Sequence, residues 1–258
     1  MTGPKLFAAV AVLSAMTGLA MAAGNAKHPK DESWSFEGVT GTYDRASLQR
    51  GFHVYKDVCA SCHGLKYMAF RTLEDIGFSE AEVKAIAAGY QILDGPNAEG
   101  EMENRNGLPH DYMPSPYAND NEARMINGGA TPPDLSLIIK ARANGADYLY
   151  SLLTGYQDAP EDFELTPGMS YNPYFANGQI AMPQPIFEGF VEYADGTEAT
   201  VDQMSRDVVM FLAWVAEPKL EARHEMGFKF FAIMILLTVL LYFSNKKVWA
   251  GLKEDKEE

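Results

Sequence analysis

The chain has 258 residues, 47% of them hydrophobic, enough for a substantial core in one large domain or two small ones. Its 21 Lys and Arg against 35 Asp and Glu leave a formal charge of −14, which argues against a nucleic-acid partner, because phosphate binding needs clustered cations. The same excess suits a basic protein partner, or serves solubility alone.

Residues 1–23 read as a secretory leader. Lys5 supplies the positive start, Leu6 to Leu19 the apolar run, and Ala20-Met21-Ala22 a small-residue cleavage pattern, with the cut after Ala22 or Ala23. That run is short for a retained anchor. Residues 24–42 form a polar lead-in whose Trp34 and Phe36 are expected to pack onto the domain. From Asp44, Leu48, Gly51, Phe52, Tyr55 and Val58 recur at helical spacing. They predict a helix running straight into Cys59, with Gly51 leaving room for a second helix to approach.

Cys59-Ala60-Ser61-Cys62-His63 is a C-x-x-C-H run, the attachment pattern of c-type haem. Two thiols three positions apart can each form a thioether to a haem vinyl group. The histidine that follows can then offer a ring nitrogen to iron. A structural zinc site usually needs four protein ligands, and the chain has no second C-x-x-C. A thiol redox pair would sit near a βαβ pattern, which is absent from the sequence. The haem reading predicts electron transfer, and an exported domain, since this haem is attached outside the cytoplasm.

Residues 71–90 give a second helical pattern through Ile76, Phe78, Val83 and Ile86. Asp94 to Glu122 is rich in Gly, Pro, Asn and acidic residues. Tyr112 and Tyr117 within it argue for an ordered surface excursion with an acidic face. The turn-rich loop from Asn127 to Asp134 precedes a helix predicted over Leu135–Ala143, with Asp134 as its cap and Gly145 ending it. A short helix follows over Tyr148–Leu153, closed by Gly155. Residues 156–185 are proline-punctuated and loop-like. Phe187–Tyr193 and Thr197–Thr200 flank Asp195-Gly196 as a hairpin-like pair. Asp202–Ala216 is an amphipathic helix with Met204, Val208, Phe211, Leu212 and Val215 on one side.

Residues 226–244 are nineteen mostly apolar positions, with Lys229 able to snorkel and Lys246 and Lys247 directly after. Tyr242 and Trp249 are placed for an interfacial belt. The predicted division is leader 1–23, exported haem domain 24–223, transmembrane anchor 224–246 and cytoplasmic tail 247–258.

The chemistry of such a haem depends on the sixth iron position. Methionine opposite histidine gives a higher potential and an electron carrier, and an open position admits gas binding or peroxidase chemistry. Of the histidines other than His63, only His110 is a serious rival, since His28 and His224 lie near the chain end and the span, and His53 on the helix leading into the motif. Met68 follows His63 too closely to reach the far face. Met182, in the proline-stiffened run Gln179-Ile180-Ala181-Met182-Pro183-Gln184-Pro185, and Met169, in Pro167-Gly168-Met169, remain the methionine candidates.

The haem motif, PPDLS at 132–136, SLLTGY at 151–156, YNPYF at 171–175, AMP at 181–183 and the C-terminal anchor occur in this order, and together the chain resembles the cytochrome c1 family, in a bacterial version. The resemblance implies a mainly α, cytochrome c-like haem domain with long loop insertions plus one C-terminal transmembrane helix. It implies one haem c on Cys59 and Cys62, with His63 and Met182 as axial ligands. It places Arg142 at a haem propionate, Asn127 and Tyr148 in the pocket, and Pro133 with Pro132 beside His63. The implied setting is the cytochrome bc1 complex, dimeric, in the bacterial inner membrane, with the haem domain on the periplasmic side. The partners would be cytochrome b, the Rieske iron–sulfur protein and a soluble or anchored cytochrome c, with no bond chemistry performed by this chain alone. Alternatives are a membrane-anchored c-type cytochrome of another dehydrogenase or oxidase, and a haem enzyme with an open iron site. The extra cysteine pair of some bacterial members is absent.

Overall fold

The computed structural model describes residues 26–254; the expected leader at 1–23 lies outside them. The chain divides into two compact units. One comprises Arg45–Ala216 with the chain up to Glu32, and the other Ser33–Asp44 with Glu217 onwards.

The first unit is mainly helical and is built on a helix crossing. Helix α1, Arg45–Val54, buries Leu48, Gly51, Phe52 and Val54. Its partner is the helix that closes the unit, Val201–Ala216, buried on nearly every side, including Trp214. A Cβ at Gly51 would stand 2.0 Å from the Asp207 carbonyl oxygen and 2.6 Å from Phe211 Cβ. Only a glycine lets the two backbones meet so closely. Phe211 fills the crossing, its ring 5.7 Å from Phe52 and 5.9 Å from Tyr55. Arg50 binds the buried Asp207 carboxylate through Nε at 2.8 Å and Nη2 at 3.0 Å, and reaches Asp195 at 2.9 Å. A buried carboxylate needs such a partner to offset its desolvation.

Helix α1 does not run unchanged into the haem motif. It widens into a π-helical turn, Tyr55–Cys59, closed by the Ala60 N–H on the Tyr55 carbonyl at 2.8 Å. The pattern at 71–90 also resolves into two pieces. A 3₁₀ segment, Phe70–Ile76, ends at Gly77 with φ 104°, and helix α2, Glu80–Ala88, starts afresh from a Ser79/Glu82 capping box. The left-handed glycine breaks the predicted single helix. The acidic stretch is ordered: strand β1, Gln91–Asp94, pairs antiparallel with β2, Glu103–Asn106, and Arg105 binds both Asp94 and Asp111. Helix α3, Asp120–Ile126, is capped by Asn119.

Asp134 is not the predicted cap. Helix α4 is only Ile138–Ala141, and Asp134 instead accepts from the N–H groups of Lys66, at 2.9 Å, and Ser136, at 3.0 Å. Gly145 opens helix α5, Gly145–Leu153, instead of ending the one before. Strands β3, Ser170–Tyr171, and β4, Gln179–Ile180, form a short hairpin inside the proline-rich stretch. The region 187–200 contains no strand; Gly189 N–H on the Ala199 carbonyl at 2.9 Å is a single backbone tie across it, and Gly196 turns at φ 76°. Helix α6 is the Val201–Ala216 helix already described.

In the second unit, the Trp34 and Phe36 rings stack at 5.9 Å and Phe36 meets Tyr43 at 5.5 Å. The sequence assigns these rings to the haem domain; the structure groups them with the C-terminal helix. Gly41, whose Cβ would lie 2.1 Å from the Phe36 carbonyl oxygen, makes the tight turn that returns Tyr43 to Phe36. Helix α7, Leu220–Glu254, is one unbroken rod. Its apolar side chains face outward, Ile235 being 65% exposed, so it is not a buried core helix. By length and composition Leu220–Ala250 can cross a membrane.

Candidate haem-binding site

The π-helical turn delivers Cys59 to a tight bend. The Cys59 carbonyl accepts from the N–H groups of both Cys62, at 3.1 Å, and His63, at 2.9 Å, so the five-residue motif folds on itself. Both thiols are free and half-buried. Burial, with the neighbouring Cys62 sulfur adding to it, pushes the Cys59 thiol up to about 12. Among the described residues there is no cluster of three or more His, Cys, Asp or Glu side chains arranged to hold a metal ion.

His63 is oriented through one ring nitrogen. Nδ1 lies 2.7 Å from the Pro133 carbonyl oxygen. A carbonyl can only accept, so Nδ1 carries the proton and Nε2 keeps a lone pair for a metal. Burial holds the imidazole below its ordinary pKa and therefore neutral, against the opposing pull of the Pro133 carbonyl and Asp134. The Tyr55 hydroxyl donates to the His63 carbonyl at 2.9 Å, and burial keeps that phenol protonated.

The Pro133 carbonyl is itself fixed. Leu135 N–H donates to the Gly64 carbonyl at 2.9 Å, Lys66 N–H to Asp134, and Tyr67 N–H to the Ser136 hydroxyl at 3.2 Å. The 132–136 loop is thus stitched along the segment after the motif. Gly64 fits this contact closely, since a Cβ there would be 3.1 Å from the Asp134 carboxylate. Asn127 donates to the Tyr117 hydroxyl at 2.9 Å and to the Ala123 carbonyl at 2.7 Å. Tyr117 in turn meets the Cys62 sulfur. Asn127 pulls the Tyr117 phenol down, but burial together with Cys62 outweighs it and leaves the phenol raised.

A second group forms around Met182. The Tyr156 hydroxyl donates to the Met182 carbonyl at 3.1 Å. Burial raises the Tyr156 phenol, with Tyr148 nearby adding to it. Tyr148, also raised by burial, lies against the exposed Arg142 guanidinium, which lowers it in part. Arg142 donates to the Ala141 carbonyl at 3.1 Å. Of the residues predicted from sequence, the structure therefore assembles Cys59, Cys62, His63, Pro133 and Asn127 in one group and Met182, Tyr148 and Arg142 in another. The run 134–141 joins them covalently.

The rival ligands fall elsewhere. His110 is 64% exposed with its ring 3.7 Å from Asp111, and His53 pairs with Asp57 at 2.8 Å on the outer side of α1. Met169 sits half-buried in the turn Thr166–Met169. Sequence reasoning missed the roles of Tyr55, Asp134 and Tyr156, and used Tyr117 only as a sign of order. Apart from Ser136 beside Asp134, the partners of Tyr55, Asp134 and Tyr156 are 8 to 68 positions away in the chain, so no local pattern reveals them.

The donor set fits a covalently held haem: two free thiols at the required spacing, an imidazole with Nε2 available, and a thioether on a separately anchored loop.

Comparison with known proteins gives a consistent answer. Residues 34–252 match the cytochrome C1 family. The chain is 48% identical to "Cytochrome c1 2, heme protein, mitochondrial" of Arabidopsis thaliana, over 86% of this chain and 73% of that protein. It is 40% identical to "Cytochrome c1" of Rhodospirillum rubrum, over 96% and 97%. It is 48% identical to "Cytochrome b/c1" of Bradyrhizobium diazoefficiens, over 86% of this chain and 36% of that longer protein.

Proposed function

The chain belongs to the cytochrome c1 family, and on that premise we propose that it carries one covalent haem c and serves as the electron-transfer haem subunit of a cytochrome bc1 complex. The haem, when bound, supplies an iron that gains and loses one electron. Cys59 and Cys62 would hold it through their sulfurs, and His63 Nε2 and the Met182 thioether would be the protein's ligands to its iron. Arg142 pairs with a propionate, as a guanidinium suits a carboxylate, and Asn127, Tyr148 and Pro133 line the pocket. The observation that carries this reading is the hydrogen bond from His63 Nδ1 to the Pro133 carbonyl, which turns Nε2 into the available ligand atom.

The chain's own task is to fix the potential, keep foreign ligands off the iron and set distances. Electrons arrive from the Rieske iron–sulfur protein and leave to a soluble or anchored cytochrome c, with cytochrome b as a neighbouring subunit in a dimeric complex. Helix α7 anchors the chain in the bacterial inner membrane, with the haem domain on the periplasmic side and Lys246 and Lys247 toward the cytoplasm. The acidic stretch 94–122 forms part of the docking field for a basic cytochrome c. Raised salt should then slow electron delivery; a salt-independent rate rejects that part.

The decisive experiment is a reduced-minus-oxidised spectrum with a redox titration of the isolated membranes, joined to mass analysis of the mature chain. One added haem mass, a c-type spectrum, and copurification with cytochrome b and a Rieske subunit are expected. A chain without the added mass overturns the proposal.

A further inference from the structure

We infer that Tyr156 is a positioning residue for Met182: its hydroxyl pins the backbone from which the thioether reaches the iron. This rests on Met182 being the axial ligand, as proposed above. The Tyr156 O–H donates to the Met182 carbonyl at 3.1 Å across 26 positions of chain. The next residue is Pro183, whose ring disfavours a helical backbone at Met182 and which has no N–H of its own. The Cα that carries the thioether is thus constrained from two directions, by a donated hydrogen bond and by a neighbouring ring.

Tyr156 can act as a fixed post because its own surroundings are tied down. The end of α5 is held against the β3–β4 hairpin by Asn172, which is fully buried. Its Nδ2 donates to the Leu152 carbonyl at 2.8 Å, and its Oδ1 accepts from Tyr174 N–H at 3.1 Å. Its own N–H donates to the Gly178 carbonyl at 2.9 Å. Gly155, directly before the tyrosine, lies so close to the Tyr174 ring that a Cβ would stand 2.4 Å from Cδ2. Met182 follows β4 by two residues. The hairpin is therefore sewn to the end of α5 by Asn172 on one side of Gly155 and by Tyr156 on the other.

A thioether is an uncharged ligand on a flexible stem. How firmly it occupies the iron depends on how much freedom its backbone loses on binding, so a loop held in advance binds more tightly. One neutral hydrogen bond corresponds to roughly a five- to tenfold change in such an equilibrium.

The test compares Tyr156→Phe, Tyr150→Phe and Met182→Leu in the full-length, haem-loaded protein. In Tyr156→Phe the haem should stay covalently attached. The apparent carbon monoxide affinity of the reduced protein should rise about five- to tenfold. The midpoint potential should fall, and the sulfur-to-iron charge-transfer band of the oxidised protein should weaken. Tyr150→Phe removes a phenol from α5, six positions before Tyr156 and bound to Asp202, and should leave all three readouts at wild type. Wild-type carbon monoxide affinity and band in Tyr156→Phe, or equal shifts in both tyrosine variants, would overturn the inference. Met182→Leu separates the two levels. If it abolishes the band while Tyr156→Phe changes nothing, only the positioning role fails; if it leaves band and potential untouched, the ligand assignment fails with it.

Discussion

Cys59, Cys62 and His63 sit within five residues at the end of a helix locked to α6, whereas Met182 stands on a proline-rich loop joined to α5 through the Tyr156 phenol and the Asn172 amide. The cysteine side draws its geometry from a local bend and its rigidity from the α1–α6 crossing. The methionine side has almost no regular structure and takes its shape from hydrogen bonds between distant residues. A covalent attachment tolerates little change in spacing and so needs a rigid support. A coordinate bond from sulfur can be tuned by small changes in its loop.

The contrast can be broken outright at the cysteines. Cys59→Ser with Cys62→Ser should abolish covalent haem, read as loss of the added mass and of haem retention under denaturing conditions; retained covalent haem would show another attachment point. The scaffold beneath is the next test. Asp207→Ala leaves the Arg50 guanidinium largely buried and short of its main partner, and should cost about 3 kcal/mol in denaturant unfolding. Gly51→Ala forces a Cβ into the Asp207 carbonyl and should cost about 2 kcal/mol, read by the same unfolding curve. A smaller and more local loss is expected on the methionine side. Asn172→Ala should cost about 1–2 kcal/mol and speed proteolytic cutting within 157–185, while covalent haem is retained.

The smallest effect is a pH dependence. Thr197 N–H, and after it Arg50, hold the Asp195 carboxyl at about 2, below the ordinary value of about 4. The unfolded chain therefore binds this proton more readily than the folded one. The stabilisation is complete above about pH 4 and is lost as pH falls toward 2. Asp195→Asn should flatten the stability–pH slope across that window, and an unchanged slope would remove Asp195 from the α1–α6 scaffold.

The cysteine side was legible because its signal is local: spacing marks the motif, and a lone glycine at a helical core position marks the crossing. Met182 is marked in the sequence only as a proline-held thioether, and its preference over Met169 and His110 as the proposed ligand rests on the family resemblance. Other features depended on partners far along the chain. Asp134 has the sequence of a helix cap, yet its carboxylate is taken by Lys66 N–H, which leaves α4 a single turn. Asp195-Gly196 has hairpin chemistry, but the flanks form no ladder: Arg50 and Thr197 take the aspartate, and the ties across are one backbone bond, Gly189 N–H to the Ala199 carbonyl, and one from Val201 N–H to the Glu188 side chain. Tyr156 has no local mark, since a phenol reads as core until its acceptor is known.

Helix α7 is longer than a bilayer requires. Its candidate span of 31 residues measures about 46 Å at 1.5 Å per residue, against a hydrocarbon thickness of about 30 Å. The surplus belongs at its beginning, where Glu221, Arg223, His224 and Glu225 cannot rest among acyl chains. Those first turns instead grip the 33–44 segment of their own unit: Glu221 accepts from the Tyr43 N–H at 2.8 Å and His224 Nδ1 lies 3.3 Å from the Gly41 carbonyl oxygen, so shortening the rod from this end would strip that segment of its polar anchors before any apolar residue of the span was lost.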